Sequence, residues 1–231
     1  FLFEAGGISV LGGVHSCQLP NLPDGSLALE DIAAAIRPDD AHAPITRLIC
    51  LENTHNRCGG TYQDVAYTSA VGEFAHARGL AVHLDGARLF NAAAALDVPA
   101  RDLVAPVDSV TFCLSKGLCA PVGSVLCGSK EFIRKAHRLR KMLGGGMRQA
   151  GILAAAGIVA LETMTARLDE DHARARMLAA GLVSIPGLGL PMGMPATNMV
   201  FLELDETVPF SPAEIVANLK EQGVRLGVTG P

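Results

Sequence analysis

The 231-residue chain has little that would assign it to a specialised class. It carries no excess of basic charge: 19 Lys and Arg stand against 23 Asp and Glu, for a net charge of −4. Its basic residues are scattered apart from "RKAHRLRK" at 134–141. That leaves no electrostatic footprint for nucleic acid or an anionic membrane, and the one basic run reads as the solvated face of a helix. No apolar run is long enough to cross a bilayer. The longest, "AGILAAAGIVAL" from Ala150 to Leu161, is rich in Gly and Ala and reads as a tightly packed core helix. The six cysteines have no CxxC spacing, and Cys50, Cys113 and Cys127 sit within apolar runs. This argues for core filling in a reducing, cytoplasmic setting rather than for disulfides or zinc. There is no low-complexity tract, internal repeat or recognisable signal peptide. The chain starts at "FLFEAGG" without Met and stops at "LGVTGP", and both ends read as those of a fragment.

What is present is a globular composition, 49% hydrophobic and 18% charged, large enough for one sizeable core and a smaller appended domain. Helical and extended segments alternate. "LALEDIAAAI" is an amphipathic helix with acids early; "TRLICLENT" is a buried strand; "DVAYTSAVGEFAHARG" is a helix closed by Gly79. "LAVHLD", "SVTFCLS" and "GSVLCG" are further strands, with "RDLVAPV" as a short connection. In "SKEFIRKAHRLRKML", Ser129 caps the first turn of a helix. The pattern predicts an α/β fold with a largely parallel mixed sheet flanked by helices, spanning 1–165. A connecting helix follows over 166–182. A smaller α+β domain over 183–231 is built from "NMVFLEL", "SPAEIVANLKEQG" and "VRLGV".

In open α/β sheets, ligands sit outside the carboxyl ends of the strands. Three strands here deliver polar groups to that edge: Glu52 from "LICLE", Asp85 from "AVHLD" and Lys116 after "SVTFCLS". A lysine that attacks carbonyls must be neutral, so its ordinary pKa of about 10.4 has to fall. Burial in the apolar run around Lys116 is expected to do this. A nearby carboxylate alone would work the other way, so Asp85 needs a different partner. A pyridinium nitrogen is such a partner, and a lysine Schiff base with an aspartate at the ring nitrogen is the protein side of pyridoxal 5'-phosphate chemistry. Taken singly, Lys116 reads as a surface lysine and Asp85 as a turn former before Gly86; it is their joint placement at successive strand ends that favours the cofactor.

The segments "HLDGARLFNA", "SKGLCAPVGS" and "GGGMRQAGILAAAGI", preceded by "FLFEAGG", "PDDAHAP" and "LENTHN", resemble the threonine aldolase family. These are pyridoxal phosphate enzymes of the aspartate aminotransferase superfamily, with the fold type I large domain. The resemblance covers most of residues 1–165. It implies that Lys116 carries the cofactor, that Asp85 pairs with its ring nitrogen, and that Arg88 lies near the cofactor and the substrate carboxylate. It implies further that Arg148 reaches the cofactor phosphate at a subunit interface, and that His42 serves the acid–base step at the substrate hydroxyl. The glycines before Arg148 also suit an anion at a helix start. The implied reaction converts L-threonine or L-allo-threonine, small amino-acid substrates, to glycine and an aldehyde in a homodimer or homotetramer. No metal, nucleic acid or membrane is involved.

The bland alternatives are a surface ion pair for Arg88, a helix-start basic residue for Arg148 and a solvated loop residue for His42. Glu52 and His55 read as structural hydrogen-bonding groups, and His83, which shares a strand face with Asp85, is given no role. "GGGMRQ" is not a nucleotide loop, since it lacks the Lys-Ser/Thr ending. Two departures from the family pattern stand out. Cys119 occupies a position where the family has glycine, and a ring-stacking histidine upstream and a carboxylate-binding arginine downstream are expected just outside the chain. Competing functions are a related pyridoxal phosphate lyase or racemase, and a catalytically incomplete fragment.

Overall fold

The computed structural model describes residues 4–228, so Phe1–Phe3 of the opening motif and the last three residues, Thr229–Pro231, lie outside the described residues. After a short helix α1 (Gly7–Val10) and an extended stretch, α2 (Leu29–Ala35) leads into β1 (Leu48–Glu52). Then follow α3 (Val65–His76), β2 (Ala81–Asp85), α4 (Leu89–Leu96), α5 (Ala100–Val104), β3 (Ser109–Cys113) and β4 (Ser124–Gly128). The four strands form one sheet in the order β1-β2-β3-β4. The first three run parallel, and β4 turns back antiparallel to β3.

Local chemistry fixes the elements on which the sheet rests. The Asp64 side chain accepts from Tyr67 N at 2.8 Å and caps α3, and Gly79, at φ +69°, ends it in the left-handed conformation that glycine tolerates best. Gly72 faces the chain before β3 so closely that a Cβ there would meet Pro106 O at 2.6 Å. Burial alternates along β2, with Val82 and Leu84 inward. Together with Ile49, Leu51, Val71, Ala92 and Leu103 they make the main core between the sheet and its helices. Each of the larger side chains contributes about 1.5–3 kcal/mol by leaving water. Asp108 stitches this layer: its Oδ2 accepts from Val82 N at 2.7 Å and lies 3.0 Å from His76 Nε2.

Beyond β4, Ser129 accepts from Phe132 N and caps α6 (Lys130–Met142), which buries no residue and so presents the basic run to solvent as expected. Helix α7 (Gly151–Thr163) and a 3-10 turn lead to α8 (Leu168–Val183). A second, smaller core joins Leu118 and Ala120 to Ala160 and Leu168. The chain then forms a minimal hairpin, β5 (Leu188–Gly189) with β6 (Glu203–Leu204), and α9 (Pro212–Glu221). Helix α9 starts with a complete Ser211–Glu214 capping box.

Four expectations need correction. "RDLVAPV" carries a short helix, α5, instead of a plain connection. "NMVFLEL" is extended but paired only at Glu203–Leu204, and "VRLGV" has no strand partner among the described residues, since a strand needs a neighbour to exist as one. Cys50 is exposed, not core filling, because burial alternates along the edge strand β1 and Cys50 shares the exposed face with Leu48. Helix α7 is not buried: only Gly157 and Ala160 are, and Ile152 is 82% exposed. A helix apolar all round needs cover on every side, and this chain supplies it on one. No single helix among the described residues is long and apolar enough to cross a membrane.

Candidate active site

The carboxyl ends of β1, β2 and β3 form one edge. Glu52 pairs in register with Asp85, and Asp85 with Thr111. Backbone hydrogen bonds continue past the strands: Asn53 N donates to Asp85 O at 2.9 Å, Gly86 N to Thr111 O at 2.8 Å, and Cys113 N to Ala87 O at 3.2 Å. Asp85 is therefore held at the rim. Its Oδ1 accepts from Ala87 N at 3.1 Å, and Oδ2 has no hydrogen-bond partner among the described residues. Its strand neighbour His83 bonds Ser109 Oγ through Nδ1 at 2.8 Å; burial pushes this ring below the ordinary histidine value, against the pull of Asp85.

Strand β3 ends at Cys113, and Lys116 sits in the bend that follows, at the same edge of the adjacent strand. This loop closes on itself: Leu114 N donates to Gly123 O, Ala120 N to Leu114 O, and Cys119 N to Lys116 O, all within 3.0 Å. The burial expected for Lys116 is not found. The loop turns Leu118 and Ala120 into the smaller core and leaves Lys116 exposed at the rim. Lys116 forms no ion pair among the described residues. Cys119, the departure from the family glycine, has φ +59°, in the left-handed region that glycine favours.

Arg88, half-buried in the turn after β2, does not pair with Asp85. Its Nη1 donates to Asn56 Oδ1 at 3.0 Å, and its Nε is buried with no partner among the described residues. Asn56 is held in turn, because its backbone N donates to Glu52 Oε1 at 2.8 Å. Glu52 and His55 behave as the structural groups expected of them: Glu52 Oε2 lies 3.7 Å from His55 Nε2, and His55 Nδ1 accepts from Cys58 N. Sequence reasoning singled out this segment but missed Asn56 as the residue that holds Arg88, a pairing set by the fold across 32 positions. Thr54 Oγ1, in the same loop, is also buried with no partner among the described residues.

Two predicted residues are not joined to this edge by any described contact. His42 lies in the loop before β1 with a side chain 96% exposed, and its Nδ1 is 2.9 Å from Asp40 Oδ1. The amide and ring of His42 hold the Asp40 carboxyl below its ordinary value. Arg148 lines a basic groove along α6 with Lys135, Arg138 and Lys141.

The edge thus offers an amine without a carboxylate partner, a carboxylate with one oxygen uncommitted, and a guanidinium with a buried, unsatisfied N–H. A buried donor left unpaired is costly, so Arg88 is set up for an anionic or carbonyl partner. This donor set fits pyridoxal phosphate and an amino acid: the amine for the aldehyde, the carboxylate for the ring nitrogen, the guanidinium for a carboxylate.

Residues 1–207 match the family model described as beta-eliminating lyase. The chain is 48% identical over 225 residues to the probable low-specificity L-threonine aldolase 2 of Arabidopsis thaliana, covering 96% of this chain and 63% of that protein. It is 46% identical over 206 residues to the low specificity L-threonine aldolase of Escherichia coli, covering 89% of this chain and 60% of that protein. Among solved structures, it superposes with a TM-score of 0.80 on a putative aromatic amino acid beta-eliminating lyase/threonine aldolase from Exiguobacterium sp. 255-15. That match is at 23% identity, over 96% of this chain and 60% of the other, and it shows the shared fold. The chain spans less than two thirds of the length of these relatives.

Proposed function

Since the chain belongs to the beta-eliminating lyase family, we propose that the protein cleaves L-threonine or L-allo-threonine, and related β-hydroxy-α-amino acids, to glycine and an aldehyde, with pyridoxal 5'-phosphate as cofactor. The observation that carries this reading is the placement of Asp85 and Lys116 at the carboxyl edge of adjacent parallel strands, beside an Arg88 whose buried Nε lacks a partner. The relatives' names support the choice of aldol cleavage among pyridoxal phosphate reactions.

Bound there, pyridoxal phosphate supplies an aldehyde for amines and a protonated ring that withdraws the electron pair released at Cα. Lys116 would hold the cofactor through Nζ. Asp85 would accept the ring N–H through Oδ2, since its Oδ1 already accepts from Ala87 N. Arg88 binds the substrate carboxylate, and Asn56, by fixing Nη1, sets the direction from which it does so. A clamped carboxylate fixes the rotation about the amine–Cα bond, and with it which bond at Cα breaks. His42, which no described contact joins to this edge, is assigned to the β-hydroxyl proton through Nε2, because Asp40 already engages Nδ1. The Cα–Cβ bond breaks, the aldehyde leaves, and a proton returned to Cα completes glycine.

Arg148 is assigned to the cofactor phosphate of a second copy, since it lines the groove along α6 and no described contact joins it to the strand edge. A homodimer or homotetramer follows, supported by the bare apolar sides of α7. A large domain over 1–165, a connecting helix over 166–182 and a small domain over 183–231 complete the proposal. A cytoplasmic setting agrees with six free cysteines, of which Cys17, Cys50 and Cys119 are exposed.

Product analysis of the full-length protein with threonine tests the reaction. Acetaldehyde with equimolar glycine is expected. Ammonia with a keto acid, or threonine inverted at Cα, would assign a different reaction on the same cofactor.

A further inference from the structure

A buried polar pair stands directly behind the Lys116 loop, and the chemistry above makes no use of it. Asn91 on α4 and His172 on α8 are each only 2% exposed, and Asn91 Nδ2 lies 3.1 Å from His172 Nε2. Burial pushes the His172 ring below the ordinary histidine value, with Asp169 opposing, Arg176 adding to the effect and Asp171 opposing more weakly. A neutral ring accepts the amide proton at Nε2 and keeps its own proton on Nδ1, which is 4.0 Å from Asp169 Oδ1. The far side of the same amide packs on the loop. A Cβ built on Gly117 would meet Asn91 Oδ1 at 3.1 Å and Leu168 Cδ2 at 3.1 Å.

Gly117 is the residue after Lys116. The backbone hydrogen bonds of the loop are internal to residues 114–123, apart from the strand pairing at its base. Its anchorage to the rest of the chain is Leu118 and Ala120 in the smaller core, with Leu114 packed against that core, and this packed contact at Gly117. Apolar packing holds the loop down but leaves its rotation soft. A hydrogen-bonded amide, which cannot turn without losing its partner, gives a definite seat.

We infer that Asn91 and His172 are positioning residues for Lys116: the buried His172–Asn91 hydrogen bond fixes the amide against which Gly117 seats, and thereby fixes where the lysine amine is presented at the strand edge. This rests on the proposed role of Lys116 as the amine that holds the cofactor. It also gives the α7–α8 region a task in the site, as a buttress reaching Lys116 from behind the sheet edge.

The full-length protein is titrated with pyridoxal 5'-phosphate, following the visible absorbance that depends on Lys116. Hydrogen exchange of residues 114–123 is measured separately on cofactor-free protein. His172→Leu removes the acceptor at similar apolar volume, and Gly117→Ala fills the seat. Each is expected to raise Kd about tenfold, the scale of one buried hydrogen bond, and to speed exchange across 114–123. His172→Gln, which restores an acceptor, is expected to stay within about threefold of wild type on the same scale. A folded His172→Leu with unchanged Kd and exchange overturns the inference, as does a Gln variant as damaged as Leu. If His172→Leu does not fold, Gly117→Ala decides, and an unchanged Kd there overturns it too. Should wild type show no Lys116-dependent absorbance, the cofactor reading falls. Exchange across 114–123 in the His172 variants then still decides whether the pair holds the loop.

Discussion

Cys119 holds a left-handed backbone, φ +59°, one turn of chain after Lys116. A residue with a Cβ is disfavoured there by about 1–2 kcal/mol, and the weak contact from its Sγ to Gly117 O at 3.6 Å returns little. Cys119→Gly is therefore expected to raise stability by roughly 1 kcal/mol, less what glycine adds to unfolded-chain entropy. Cys119→Ala is expected to gain nothing. Thermal melts of the two variants check this, and a Gly variant less stable than Ala would count against it. Asn56 makes a second case at this scale. Removing its Oδ1 in Asn56→Ala frees Arg88 Nη1, and KM for threonine is expected to rise about tenfold with kcat changed less. Steady-state kinetics separates the two constants. The edge positions of Asp85 and Lys116 were legible in the sequence because one ends an apolar strand and the other follows one, and strand ends map onto a sheet edge. Asn56 and His172 were not. Each matters through a partner 32 or 81 positions away, and no local periodicity encodes such a pairing.

At the scale of elements, Asp108 joins β2 to α3 just before β3 begins. Partial burial pushes its carboxyl up, but the Val82 amide and then the His76 ring outweigh this and hold it below the ordinary carboxylate value. A carboxyl depressed in the folded state stabilises above its unfolded pKa of about 3.9, and the gain is lost as pH falls through the folded value. Asp108→Asn is thus expected to lower stability at neutral pH and to flatten the acid limb below about pH 4. Denaturant titrations across that range measure both effects. Helix ends follow local chemistry: Ser129 caps α6 as the sequence predicts, and Asp64 and Ser211 cap α3 and α9 in the same way. Strands were legible where neighbours exist, and less so after residue 183, because pairing, not composition, decides a strand. Helix α7 was misread for a related reason. Apolar composition says that a surface wants cover, without saying whether its own chain provides it.

For the molecule as a whole, that uncovered surface is the main unbalanced term. Ile152, Ile158 and Val159 on α7 are exposed, as are Met142, Leu143 and Met147 just before it. A patch of this kind is what the proposed subunit interface would cover. In the proposed assembly it meets a second copy, whose cofactor phosphate Arg148 is proposed to reach. Ile152→Asp is expected to shift the full-length protein toward monomer in sedimentation and to lower cofactor occupancy with it. A monomeric wild type at full activity would dispose of the assembly. The parallel sheet and the strand edge proposed to bear the site could be read from the sequence alone, whereas the exposure of Lys116 could not. The run around it is apolar, yet its apolar members point into a core of their own.

The central claim, that the Lys116 amine holds pyridoxal phosphate at this edge, is tested most directly by reducing the cofactor-loaded protein with borohydride and mapping the modified peptide. The account predicts a single pyridoxyl group on Lys116, and neither modification nor visible absorbance in Lys116→Ala. A label on another lysine, or an absorbing Lys116→Ala protein, would contradict it.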